Sequence, residues 1–323
     1  MPGPLDVPHQ PSTTEPDSPT RRDTTRTEVL MFHVDTHTHI ISPDTDAYPA
    51  APLGGHRSTW SQERPTDIDG LLREADAAAV DHLVVVQAST VYGFDNNYVA
   101  DQLTRHADRI SGVCSVDFLS PDALTDLRHW IDERGFSGVR IRAADGTTAV
   151  PTPGRGLDDE RMAPVWQFLS DRRVPVCIQM HAQHAPVLAK LLQQYPGLTA
   201  VLDHGGRPQL SEDGPLYPDA PGVTPLHETG RVFVKLTPPA ILRAQREAGS
   251  AAPLFRSLVE TFGAAHVMWG SNFPASAGKL SELVDLVKEQ LPPLDGTDLA
   301  LITGGTAARL YGLAGAAPSA SQE

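Results

Sequence analysis

Two histidines stand two residues apart in Asp35-Thr36-His37-Thr38-His39, directly after an apolar stretch. In an extended strand such residues share a face and lie ~7 Å apart along the chain, so both imidazoles can converge on one carbonyl or one ion. Two more histidines close apolar runs, His181 after Val176-Cys177-Ile178-Gln179-Met180 and His204 after Ala200-Val201-Leu202-Asp203. Imidazole gives and takes protons near neutral pH and ligates metals. Four of them, each just before a loop, point to one shared site. Arg140 and Arg142 also fall on one face of an apolar run. A guanidinium there suits the paired hydrogen bonding of a carboxylate, or a salt bridge at a rim. Lys235, a lone charge in Val234-Lys235-Leu236, reads as a rim charge or a substrate contact. The last apolar run ends Trp269-Gly270-Ser271-Asn272. Its amide cannot take a proton from water near neutral pH and is a poor zinc ligand.

These residues need elements that bring them together. Short Val- and Ile-rich runs predict strands at 29–35, 83–87, 110–116, 138–141, 174–180, 199–202, 232–236 and 266–269. Between them, apolar spacing of three and four predicts helices at 68–79, 97–106, 122–134, 159–172, 185–194, 252–262 and 281–289, while 225–229 leaves room for only a turn or two. Strands apolar on both faces belong to a parallel sheet covered by helices. Eight such units in series predict an α/β fold closed as a (β/α)8 TIM barrel, whose active site lies where the strands end. No glycine-rich fingerprint opens a helix after the first strand, which argues against dinucleotide binding. The stretches 42–65 and 205–224 are long and rich in Pro and Gly, as substrate-walling loops are.

The chain has 323 residues and a net charge of −14. Acidic balance opposes nucleic acid and anionic membranes, and no apolar run nears the ~20 residues of a membrane span. Residues 1–28 and 314–323 are poor in large apolar side chains and read as disordered tails around a barrel at 29–313, without the apolar core of an export signal. Cys114 and Cys177 both lie in strand-like runs and read as buried thiols in a reducing compartment. The expectation is a cytoplasmic protein acting on a small molecule, with homo-oligomerisation left open.

Taken in order, Asp35-Thr36-His37-Thr38-His39, Asp203-His204-Gly205-Gly206-Arg207-Pro208, Val234-Lys235-Leu236-Thr237 and Gly270-Ser271-Asn272-Phe273-Pro274 resemble the amidohydrolase-related family, which includes lactonases and aromatic-acid decarboxylases. Tyr92-Gly93-Phe94-Asp95-Asn96 and Gly138-Val139-Arg140 resemble its branch of pyrone-dicarboxylate lactonase and galactarolactone isomerase. The likeness runs from about Phe32 to Leu313. In metal-dependent members it implies a divalent ion, commonly zinc, on His37, His39 and His181, with a strand-eight aspartate completing the set. In the lactonase branch metal is often dispensable and that aspartate is the general base. Here Asn272 takes its place, which leaves open a histidine base, a non-hydrolytic reaction, or an inactivated variant. A cation that the dicarboxylate lactonase carries beyond strand four is missing from Ala143-Ala144-Asp145-Gly146-Thr147, which disfavours a strongly dianionic substrate.

The resulting expectation is an enzyme for a small cyclic ester or amide. His37, His39 and His181 polarise a carbonyl, directly or through a metal, and His204 shuttles the proton. Arg140 or Arg142 orients the substrate, and Asn272 hydrogen-bonds near the attacking group. Tyr92, Asn96, Arg207 and Lys235 are further candidate substrate contacts. The alternatives are a decarboxylase, isomerase or cyclase on the same scaffold, and a barrel that binds a ligand without turnover.

Overall fold

A computed structural model of the chain describes residues 32–143, 156–206 and 223–313. The proposed tails at 1–28 and 314–323 lie outside them.

Eight parallel strands follow one another around a single sheet in chain order. They are β1 (Val34–Thr38), β2 (His82–Val86), β3 (Ile110–Ser115), β4 (Gly138–Arg142), β5 (Pro175–Gln179), β6 (Thr199–Leu202), β7 (Val232–Leu236) and β8 (Val267–Trp269). Helices cover the outside, among them Ile68–Ala77, Asn97–Arg105, Ala163–Arg172, Ala185–Gln194, Ala252–Phe262 and Leu280–Lys288. This is the expected TIM barrel. One strand moves: β1 runs to Thr38 instead of ending at residue 35, so His37 lies inside the ladder. The helix expected at 122–134 is Ala123–Arg128, continued by a wider turn at His129–Glu133. Several helices were not anticipated, among them Pro238–Ala248, Thr306–Tyr311 and the short Thr59–Glu63, Ser89–Tyr92 and Gly296–Ala300. Pro238–Ala248 opens on two prolines that fit a first turn, and Thr306–Tyr311 follows the last strand.

Side chains alternate between two cores. Val34, Val84, Val113, Cys177, Val201 and Met268 fill the inside of the barrel and pack against Ala307, Ala308 and Tyr311 of the final helix. A larger cluster lies between strands and helices, as Leu83, Val85, Val139, Ile178 and Leu202 do. Cys114 and Cys177 are free, buried thiols.

The seam between β1 and β8 closes mostly beyond β8. The Asn272 amide donates to the His37 carbonyl at 2.7 Å, and the His39 amide donates to the Phe273 carbonyl at 2.8 Å. Below them, Asp35 Oδ1 accepts from the amides of His37 (3.0 Å) and Ser271 (2.9 Å). A Cβ on Gly270 would come within 2.8 Å of His37 Cβ, so only glycine admits this approach. The seam therefore sets where His37, His39 and Asn272 stand.

Candidate active site

Asp203, the first residue after β6, is the centre of the polar interior. Its carboxylate accepts from Arg140 Nε at 2.9 Å and lies 3.3 Å from Lys235 Nζ and 3.4 Å from His37 Nδ1. Asp203, Lys235 and His37 are fully buried. Burial pushes the Asp203 carboxyl up, but its cationic surroundings outweigh burial and hold it well below the usual range. Burial drives His37 well below its ordinary value despite that carboxylate, so the ring is neutral at physiological pH. The permanent cations Lys235 and Arg140 therefore keep Asp203 ionised. Among the described residues neither His37 nitrogen makes a well-aligned hydrogen bond. Lys235 also donates to Cys177 Sγ at 3.4 Å, which ties the cluster to the barrel interior.

Above this layer opens a cavity of about 240 Å3, lined by His39, Trp60, Gln87, Arg140, Arg142, Gln179, His204 and Asn272 among others. His39 donates Nδ1–H to the Val86 carbonyl at 2.7 Å, which leaves Nε2 as the lone-pair nitrogen. Trp60 stacks on its ring, with centroids 5.4 Å apart. Burial, helped by the positive charge of Arg140, lowers the His39 pKa to about 4. His204 Nδ1 pairs with Thr237 Oγ1 at 2.9 Å. Gln179 Oε1 accepts from Arg140 Nη2 (2.9 Å) and Arg142 Nε (3.1 Å), so one amide aligns both guanidinium groups. Asn272 Nδ2 donates to Ser276 Oγ at 3.0 Å. His204 and Asn272 both adopt left-handed backbone with φ of 56°. Such non-glycine geometry costs roughly 1–3 kcal/mol and is held by the surrounding structure.

The cavity thus unites His39, His204, Arg140, Arg142 and Asn272. His37 and Lys235 lie beneath it, through Asp203, and so do not meet a ligand in it. His181 follows β5, half-buried, with its ring centroid 6.4 Å from that of His184; the β5 residue that lines the cavity is Gln179. Tyr92 and Asn96 serve the loops instead. The Tyr92 hydroxyl accepts from the Ser42 amide at 2.8 Å, and the Asn96 side chain bonds the Ser115 backbone in both directions, at 2.8 and 3.0 Å. Arg207 lies outside the described residues.

The metal set His37, His39 and His181 does not assemble. Among the described residues no three His, Cys, Asp or Glu side chains form a group that could hold a metal ion. His39 Nε2 keeps the lone pair of a typical ligand, but His181 does not line the cavity and Asn272 offers only an amide, so the described residues do not fit zinc. The sequence reading also passed over Asp203, Gln179, Trp60 and Gln87. Two signals were available: an acid beside a strand-end histidine, and a tryptophan in a loop long enough to be a wall.

TIM-barrel enzymes carry their sites where the strands end, and this cavity of histidines and arginines over a buried aspartate lies there. The amidohydrolase family profile matches residues 34–313, and the chain belongs to that family of enzymes. It is 24% identical over 257 residues to L-fucono-1,5-lactonase of Burkholderia ambifaria, covering 76% of this chain and 82% of that protein. A Pseudomonas putida protein assigned as a 2-pyrone-4,6-dicarboxylic acid hydrolase shares its fold, with a TM-score of 0.69 and 23% identity over 88% of this chain and 98% of the other. So does 2,6-dihydroxybenzoate decarboxylase from Rhizobium, with a TM-score of 0.62 and 17% identity over 88% of this chain and all of the other. No helix among the described residues is long and apolar enough to cross a membrane.

Proposed function

We propose that the enzyme hydrolyses a small cyclic ester, with His39 as the base that activates water. The observation that carries this reading is the state of His39. Its Nδ1–H is held by Val86, its Nε2 is the basic nitrogen, and the ring is neutral above a pH of about 4. A neutral ring so anchored accepts a proton and does not donate one from Nε2, which reassigns His39 from carbonyl polariser to base.

Water attacks the ester carbonyl carbon as its proton passes to His39 Nε2. The charge that develops on the carbonyl oxygen is met by Arg140 and Arg142, aligned by Gln179. The bond from that carbon to the ring oxygen then breaks, and the ring oxygen takes the proton from His39 to give a hydroxy acid. His204, in the same cavity, serves as the local relay for that proton. Asn272 fills the position of the family aspartate as a hydrogen-bonding group without base character. The lactonase relative supports ester hydrolysis over the decarboxylase chemistry of the Rhizobium protein, whose likeness extends to fold alone.

A panel of five- and six-membered lactones, read by mass spectrometry, tests the proposal. Hydrolysis adds one water to the substrate mass, isomerisation adds nothing, and decarboxylation removes carbon dioxide. His39→Gln is expected to lower kcat on the accepted lactone by about 100-fold or more. Full activity in that variant would remove His39 as the base.

A further inference from the structure

The wall of the cavity holds an acceptor that the hydrolytic mechanism leaves unused. Gln87 follows β2, is 1% exposed, and lines the cavity with Arg140, Arg142 and Trp60. Its amide N–H continues the ladder to the Val113 carbonyl at 2.9 Å, and its carbonyl accepts from the Ser89 amide at 3.0 Å, so its backbone is fixed. Its side-chain Nε2 donates to the Asp95 carbonyl. A carbonyl oxygen only accepts, so this contact orients the amide group: the NH2 faces Asp95, and Oε1 is the atom left over. Oε1 is buried and has no hydrogen-bond partner among the described residues. An acceptor stranded in this way is destabilising, and native proteins retain few of them.

We infer that Gln87 is a specificity residue whose Oε1 accepts a hydrogen bond from a hydroxyl on the substrate ring, so that the enzyme takes hydroxylated cyclic esters in preference to bare ones. The inference rests on the cyclic-ester reading above for the nature of the ring, but the recognition itself is a binding event independent of turnover. A site built around an acceptor rejects a ligand that lacks the matching donor, because the acceptor then stays buried and unpaired. Arg140, Arg142 and the Trp60 N–H are donors and cannot read a hydroxyl proton; Gln87 supplies the complementary polarity.

The test uses lactams, which keep the ring and carbonyl of the lactone but resist hydrolysis. Binding of a polyhydroxylated six-membered lactam, and of a series of analogues each lacking one hydroxyl, is measured by calorimetry on the full chain. One analogue is expected to bind at least tenfold more weakly than the parent. Gln87→Met, similar in length and without a polar acceptor, is expected to bind that analogue and the parent equally. Gln87→Glu, held protonated by burial so that its O–H donates to the Asp95 carbonyl, keeps an oxygen acceptor and is expected to retain the preference, which separates recognition from a general loss of structure. An unchanged preference in Gln87→Met overturns the inference. So does the absence of any preference in the wild type, whether all members bind equally or none binds. Lactam preference without lactone turnover would sink the hydrolytic reading and leave the role of Gln87 standing.

Discussion

Replacing Asp203 by Asn removes the carboxylate that meets Arg140 at 2.9 Å and Lys235 at 3.3 Å. Lys235 is fully buried, and its remaining contact among the described residues is the Cys177 thiol, a weak acceptor. The variant therefore leaves an ammonium group in the barrel interior without its counter-ion. Removing one member of a buried ion pair typically costs about 3–5 kcal/mol. The Asn oxygen keeps one hydrogen bond, which favours the lower end of that range. For a barrel of this size each kcal/mol moves Tm by roughly 2 °C, so melting should fall by about 6 °C. Lys235→Met alone leaves Asp203 paired with Arg140 and should cost less. In Asp203→Asn combined with Lys235→Met the stranded cation is gone, so the double variant should be more stable than Asp203→Asn alone. Urea denaturation of the four proteins, followed by tryptophan fluorescence, measures this coupling. A loss below about 1 kcal/mol in Asp203→Asn, or a double variant as unstable as the sum of the singles, would refute the ion-pair argument.

Asp35 is fully buried, its Oδ2 has no partner among the described residues, and burial, against bonds from Ser271 and His37, lifts its pKa to about 6. An acid raised in the folded state is penalised once the unfolded chain ionises, with the full penalty reached above pH 6. Asp35→Asn keeps Oδ1 for both backbone amides and should raise Tm more at pH 8 than at pH 5; an offset equal at the two pH values would contradict this. Buried His37 and His39 act in the opposite sense. Their pKa values are depressed, so the stability they allow is complete above pH 6.5 and is lost as pH falls towards 4, which urea titrations across that range should show. Asn272→Asp tolerates the same left-handed backbone and adds a carboxylate at the cavity. With His181 not lining that cavity, zinc after incubation and desalting should remain below one ion per chain by elemental analysis, and a stoichiometric ion would overturn the geometry argued for this site.

The barrel was legible because its determinants are local. The runs at 199–202 and 232–236 and the helices at 185–194 and 252–262 are where apolar spacing places them, since alternation and three-four spacing record which faces are covered. Strand one was placed too early because Phe32, His33 and Val34 are as strand-like as the residues that follow. Pro238–Ala248 was not anticipated, and its two prolines sit in the first turn, where their missing N–H groups cost nothing.

By itself, the order of residues determined eight strand-and-helix units and put His37, His39, His181, His204 and Asn272 at the ends of strands, because strand period and apolar runs are properties of neighbouring residues. The tertiary structure decided which of these meet. Arg140 and Asp203 are 63 positions apart, and their 2.9 Å contact exists only because β4 and β6 point into the same barrel. Whether a polar side chain faces the cavity, as Gln179 does, or lies beneath it, as His37 and Lys235 do, depends on strand register and depth around the closed sheet. No local spacing encodes that depth.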